Sequence, residues 1–289
     1  MIRARRPSAG FTLIEAIVAI VITGILSGIV AVFIARPVES YVASVRRAEL
    51  TDAADVALRR MTRDIRLALP NSLRTAGNCI EFISTSAGGR YRDPADGSTG
   101  GDFLSFTSAA DTTFHVLGKN GNLPTAFDYI APGDSLVIYN LGAGYAPADA
   151  YTGGNRALVN SVTCGGANTP PCYVTLAANP FAAQSPPLPS PSSRFQVVPG
   201  GTQAISYVCN GGLLQRYAAY GFNPAQACPP AGTPATLAGG GSINAACTIE
   251  YTNNATGRNG LLYIGLTLTD TPSSESVTLF QQIHLSNAP

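Results

Sequence analysis

The chain has 289 residues, a formal net charge of +1, no tryptophan, and 12% charged against 45% hydrophobic residues. That length admits one large domain or two small ones, and the near-neutral balance excludes the basic footprint of a nucleic-acid binder. The charge is uneven: in residues 1–74 eleven arginines face six acids, giving +5, while the remainder, with six arginines, Lys119 and eleven acids, carries −4.

Met1 to Gly10 is short and basic (Arg3, Arg5, Arg6) and closes on glycine. An almost unbroken apolar run follows from Phe11 to Ala35, 25 residues long. About 20 apolar residues suffice to cross the hydrocarbon core as a helix. One carboxylate, Glu15, lies near the start of this run. An ionisable group inside a membrane segment costs about 2.5–3.5 kcal/mol even on lenient insertion scales, so Glu15 is a functional candidate. An ordinary secretory signal is cut beyond its apolar region, at small residues. Here that side reads Phe33-Ile34-Ala35-Arg36-Pro37, a poor site of that kind.

The register of basic leader, Gly10-Phe11-Thr12-Leu13-Ile14-Glu15 and apolar run resembles the class III signal of type IV prepilins and type II secretion pseudopilins. The resemblance implies that a membrane peptidase cuts after Gly10 and methylates the new N-terminus, Phe11. It also implies that Gly10 and Glu15 are what the peptidase and the assembly process recognise. Glu15 would then pair with the Phe11 amine of a neighbouring subunit, since a buried carboxylate is tolerable where an opposite charge meets it. The competing reading is an uncleaved signal anchor with Glu15 near the headgroups.

Pro37 predicts an interruption of the helix at the membrane exit. From Val38 to Leu69 the chain stays helix-compatible, and Ala54, Leu58, Met61, Ile65 and Leu69 recur at spacings that line one face. Pro70-Asn71-Ser72 is the expected stop. Unbroken from Phe11 to Leu69, such a helix would measure about 90 Å. Gly24 and Gly28, with Ser27 alongside, form a small-xxx-small pair suited to close helix packing, although glycine is also simply common in membrane helices. The expected division is a leader at 1–10, a transmembrane and filament-core helix at 11–36, an amphipathic half at 37–70, and a β-rich head at 71–289.

Beyond Pro70 the hydrophobic period becomes two. Cys79 to Ile83, Phe103 to Thr107, Ser135 to Tyr139 and Tyr173 to Leu176 read as short strands. Ile205 to Cys209 and Leu213 to Tyr217 flank Asn210-Gly211-Gly212, a hairpin signal. Leu262, Ile264, Leu266 and Leu268 alternate with polar or small residues, and so do Val277, Leu279, Ile283 and Leu285, with Gln281 the exception. Ser86 to Gly101, Gly142 to Asn155 and Ala231 to Ser242 read as long loops, and proline-rich Ser185 to Ser193 as an extended connector. The fold class is α+β and pilin-like: a long N-terminal helix packed on an antiparallel sheet.

All six cysteines (Cys79, Cys164, Cys172, Cys209, Cys228, Cys247) follow the apolar segment, and an even count in a translocated head favours disulfides. Six cysteines allow 15 connectivities. Cys164–Cys172 is favoured because Gly165-Gly166 and Pro170-Pro171 let the intervening loop turn back. Spacing for zinc ligands is missing. His115 and His284 read as ordinary strand residues, with His284 on the polar face beside Gln282. Asp93, Asp96 and Asp102, near Gly97, are candidate calcium ligands, but their spacing is not that of an EF-hand, and aspartates favour turns for local reasons. No nucleophile elbow, P-loop, dinucleotide fingerprint or zincin motif occurs, so neither a cofactor nor an enzyme is expected.

Two further stretches narrow the resemblance: Arg63 to Arg74, and the C-terminal blocks Cys247 to Tyr251, Arg258 to Leu261, Glu275 to Leu279 and Ile283 to Pro289. They are similar to minor pilins of the mannose-sensitive haemagglutinin (MSHA) type IV pilus, whose wider kin include J-type pseudopilins of type II secretion. The likeness covers roughly residues 8–83 and 205–289 and leaves the middle without a counterpart. It implies other major and minor pilins, the prepilin peptidase and methylase, and the inner-membrane assembly platform as partners. It also implies a single-pass inner-membrane protein with a periplasmic head, later part of the filament or its tip. The middle, about Gly88 to Ser193, is an alternative candidate for a tip adhesin.

Overall fold

The computed structural model describes residues 10–94, 101–117, 129–165, 169–253 and 259–288. Contacts divide the chain into two units, Met1–Glu49 and Leu50–Pro289. One helix, α1 (Leu13–Arg66), contributes to both, and it remains α-helical through Pro37, where an interruption was expected. In the first unit no described residue is buried.

In the second unit α1 buries Leu50, Ala54, Ala57, Leu58, Met61 and Ile65. This is the face that the spacing predicts. The helix ends three residues before the predicted Leu69, because its last turn tightens: Leu67 N–H donates to Asp64 O at 3.1 Å and Ala68 N–H to Ile65 O at 3.0 Å. The chain then turns to the sheet, where Leu69 N–H donates to Ile83 O at 2.8 Å and the Ser72 hydroxyl to Leu69 O at 2.7 Å. Leu69 is buried as predicted, but outside the helix.

Among the described residues fourteen strands follow: β1 (Arg74–Ala76), β2 (Cys79–Ile83), β3 (Ala87–Tyr91), β4 (Thr113–Leu117), β5 (Ser135–Val137), β6 (Arg156–Gly165), β7 (Thr169–Leu176), β8 (Arg194–Val198), β9 (Ala204–Asn210), β10 (Leu213–Ala218), β11 (Ala235–Gly239), β12 (Ile243–Asn253), β13 (Asn259–Asp270) and β14 (Glu275–Ser286). They form a five-stranded sheet β1-β2-β9-β10-β11, a three-stranded sheet β12-β13-β14, and a closed barrel β3-β4-β7-β6-β5-β8. Every pairing is antiparallel.

The two open sheets share one core with the C-terminal part of α1. Ile80, Phe82, Ile205 and Tyr207 from one sheet and Leu262, Ile264, Leu266 and Ile283 from the other meet the helical face. Asp64 on α1 accepts hydrogen bonds from Tyr207 Oη and Arg216 Nε, both at 2.8 Å. Cys209–Cys247 links β9 to β12. At the β9–β10 hairpin Gly211 and Gly212 have φ of 57° and 77°, the left-handed pair that a tight hairpin turn requires. Beside it Glu81 is fully buried, with Arg74 Nε at 2.6 Å and Tyr220 Oη donating to it at 2.9 Å.

The barrel is inserted between β2 and β9, which pair with each other. It has its own core, including Tyr91, Phe114, Leu136, Val159, Val174, Phe181, Phe195 and Val197. Its entry and exit run side by side, with Ser84 N–H donating to Gln203 O and Ser86 N–H to Val197 O, each at 2.9 Å. The β5–β6 connection docks on the helix exit: Asn140 Nδ2 donates to Pro70 O at 2.7 Å, Asn71 Nδ2 to Asn140 O at 2.8 Å, and Tyr151 Oη to Ser72 O at 2.9 Å. Gly142 (φ +110°) passes so close that a Cβ would lie 2.8 Å from Asn71 O.

Three local expectations change. Phe103 to Thr107 is not a strand, because polar side chains capture its backbone. Ser105 Oγ accepts the N–H groups of Thr107 and Ser108, and Asn179 Nδ2 donates to the carbonyls of Ser105 and Asp111. The predicted loops Ser86–Gly101 and Ala231–Ser242 contain β3 and β11. The strand expected at Ser135–Tyr139 stops at Val137, and Tyr139 takes a φ of 50°.

Candidate processing and assembly segment

Gly10, Phe11 and Thr12 precede the helix, which starts at Leu13. Thr12 is its N-terminal cap: the Thr12 carbonyl accepts Ala16 N–H at 3.1 Å, and Thr12 Oγ1 accepts Glu15 N–H in a long bond of 3.4 Å. Thr12-Leu13-Ile14-Glu15 is thus a Thr-x-x-Glu capping sequence, a signal the motif-based reading passed over. It gives Glu15 a local role, since a carboxylate in the first turn is favoured by the positive end of the helix dipole. Glu15 is exposed in the isolated chain.

From Phe11 to Ala35 the apolar side chains are not buried by any described residue: Phe11 is 76% exposed and Phe33 79%. Added Cβ atoms at Gly24 and Gly28 would meet nothing within 4 Å, so no contact inside the chain requires glycine at either position. Thr23 spends its hydroxyl within the helix, donating to Ala19 O at 2.6 Å. The segment is one helix long and apolar enough to cross a membrane. Arg3, Arg5 and Arg6 lie outside the described residues.

The other sequence candidates are placed as follows. The cysteines form Cys79–Cys228, Cys164–Cys172 and Cys209–Cys247. Asp102 accepts a hydrogen bond from the Thr113 hydroxyl, and Asp96 lies outside the described residues. Among the described residues no group of three His, Cys, Asp or Glu side chains gathers as a metal site would. His284 is exposed on β14. His115 is buried in β4: its Nδ1 accepts Asp102 N–H at 2.8 Å, its ring lies 3.8 Å from that of Tyr173, and its Nε2 has no partner among the described residues. Burial, reinforced by Arg92 and opposed by Asp102, lowers its pKa. Nothing nucleophilic adjoins it in these contacts.

Residues 5–31 match the model of the prokaryotic N-terminal methylation motif. The match supports a type IV pilin-like prepilin N-terminus, and with it a type IV pilin or pseudopilin. With the long apolar helix and the disulfide-bonded antiparallel sheets, the layout is α+β and pilin-like. No curated protein and no solved structure matches the chain.

Proposed function

We propose that the chain is a minor pilin of an MSHA-type type IV pilus, of the MshO kind. It is inserted in the inner membrane with a periplasmic head, cut after Gly10, methylated at Phe11, and built into the filament or its priming or tip complex. It acts by assembly rather than turnover. The observation that carries this reading is the motif Gly10 to Glu15 at the head of an apolar helix that no described residue covers. Such a segment is satisfied first by lipid and then by sister helices, where Glu15 meets the Phe11 amine of the neighbour. A J-type pseudopilin shares this chemistry.

Intact-mass analysis of the mature chain should show residues 1–10 removed and one methyl group on Phe11, and replacing Gly10 should block both. A mature chain that retains the leader in cells containing the peptidase rejects the reading. Glu15→Gln preserves the capping sequence while removing the charge, and with it both the helix-dipole interaction and the intersubunit pairing. It should insert in the membrane but fail to enter filaments as completely as Glu15→Val. Normal incorporation of Glu15→Gln rejects the charge pairing.

The self-contained barrel favours a second, compatible reading, a tip adhesin. Excising residues 88–193 should then abolish attachment while pilus number is unchanged.

A further inference from the structure

The sheet β12-β13-β14 ends on β14, twelve residues long, with no strand on its outer side among the described residues. Long edges are usually blunted by charge, proline or a bulge. From Ser276 to Ser286 β14 has no proline, no formal charge at neutral pH with His284 neutral, and unbroken pairing to β13. Gln281 Nε2 donates to the neighbouring Gln282 carbonyl at 3.2 Å, a bond within the strand itself.

Beside this edge runs a groove of about 430 Å³ between α1 and β14, lined by Arg59, Thr62, Arg63, Arg66, Leu67 and Gln281. Arg59 pairs with Asp55 at 2.8 Å, whereas Arg63 and Arg66 make no ion pair among the described residues. Leu67 is 50% exposed. On the side of β14 that carries Glu275 at its start, Gln281 is the polar residue within the run Val277, Leu279, Ile283 and Leu285, so the groove interrupts an apolar run.

We propose that β14 and this groove together accept one added antiparallel strand: an extended segment of a neighbouring subunit carrying a carboxylate between apolar residues. Backbone pairing to β14 supplies the binding, and side-chain alternation supplies the specificity. The inward side chain opposite Gln281 falls over Arg63 and Arg66, which select an acid, and apolar residues two positions away cover Leu67 and the flank of α1. The charge complementarity identifies the occupant as acidic, and the free backbone identifies it as extended. The inference rests on the assembly reading for the source of the strand, not for the site.

The test uses the full mature chain in detergent micelles and fluorescence anisotropy with labelled peptides. The probe alternates threonine with valine and has glutamate in place of the central valine. One control carries lysine there, and another has alternate backbone nitrogens methylated so that it cannot pair. The glutamate peptide should bind saturably and weaken with salt, both controls should bind at least ten-fold more weakly, and Arg63→Glu with Arg66→Glu should reduce affinity at least ten-fold with unchanged circular dichroism. Equal binding of the methylated peptide, indifference to the double substitution, or no saturable binding overturns the proposal. So does Arg63- and Arg66-dependent binding of phosphatidylglycerol vesicles without peptide binding. The intact mass of the same preparation reports processing at Gly10, so loss of the assembly reading and loss of the groove are separate results.

Discussion

The barrel and the helix-backed sheets solve the problem of sheet edges differently. The barrel closes on itself, so every strand has two neighbours and its core is enclosed by its own strands and loops. The sheets stay open, share one core with α1, and leave β14 without a second strand neighbour among the described residues. A closed sheet has nothing to offer another strand, whereas an open one does. The difference separates a region enclosed by its own strands from one whose edges stay open. The two cores meet through a small junction of Leu69, Ile83, Val137, Ala150, Tyr151, Val198 and Ala204.

The largest effect that would break this comparison comes from the barrel core. Phe195 is buried, packs edge-on to Phe114 at 6.1 Å, and lies against Gly89, where a Cβ would come within 2.5 Å of its ring. Phe195→Ala should cost about 3–5 kcal/mol of barrel stability. Hydrogen exchange should show amides of β3 to β8 losing protection while β12 to β14 keep theirs. Equal loss in both regions would make the head one cooperative body.

The converse lesion sits on α1. Ile65 has no exposed surface, and Ile65→Ala should cost about 2–5 kcal/mol in urea unfolding. Here protection should fall in β9, β10 and β13, while the barrel core, which Ile65 does not join, is spared. Ile22→Ala, 51% exposed in the first unit, should leave the unfolding midpoint of the head unchanged.

The same contrast governs what the amino-acid sequence makes legible. Residues facing one shared core repeat regularly, so Ala54, Leu58, Met61 and Ile65 on α1 and Leu262 to Leu268 on β13 could be read directly. The barrel hides because four of its strands, β3, β4, β5 and β8, have five residues or fewer, and β3 contains Gly88-Gly89, which reads as loop, although a Cβ at 89 would press on the Phe195 ring. Gly10, Phe11 and Glu15 form a linear motif, legible because no folding is needed to bring them together. The arginine groove was not, since Gln281 reaches Arg63 only through folding. Cys79–Cys228 was hidden for the same reason, whereas the short loop favoured Cys164–Cys172.

The smallest effect concerns acid and also separates the two regions. Asp102 N–H donates to His115 Nδ1, which fixes a neutral ring, because an imidazolium has no acceptor nitrogen there. Arg92 and burial oppose the charge and Asp102 favours it, leaving the pKa below its ordinary value. The unfolded chain, with an ordinary histidine near 6.5, therefore binds more protons in the interval between the two values. Stability is full above about pH 6.5 and falls as the pH drops from there through the folded value. His115→Gln should flatten that slope, as measured by barrel hydrogen exchange between neutral and mildly acidic pH. A slope that persists unchanged in His115→Gln would place the acid-sensitive step outside this ring and undo the contrast between closed and open regions.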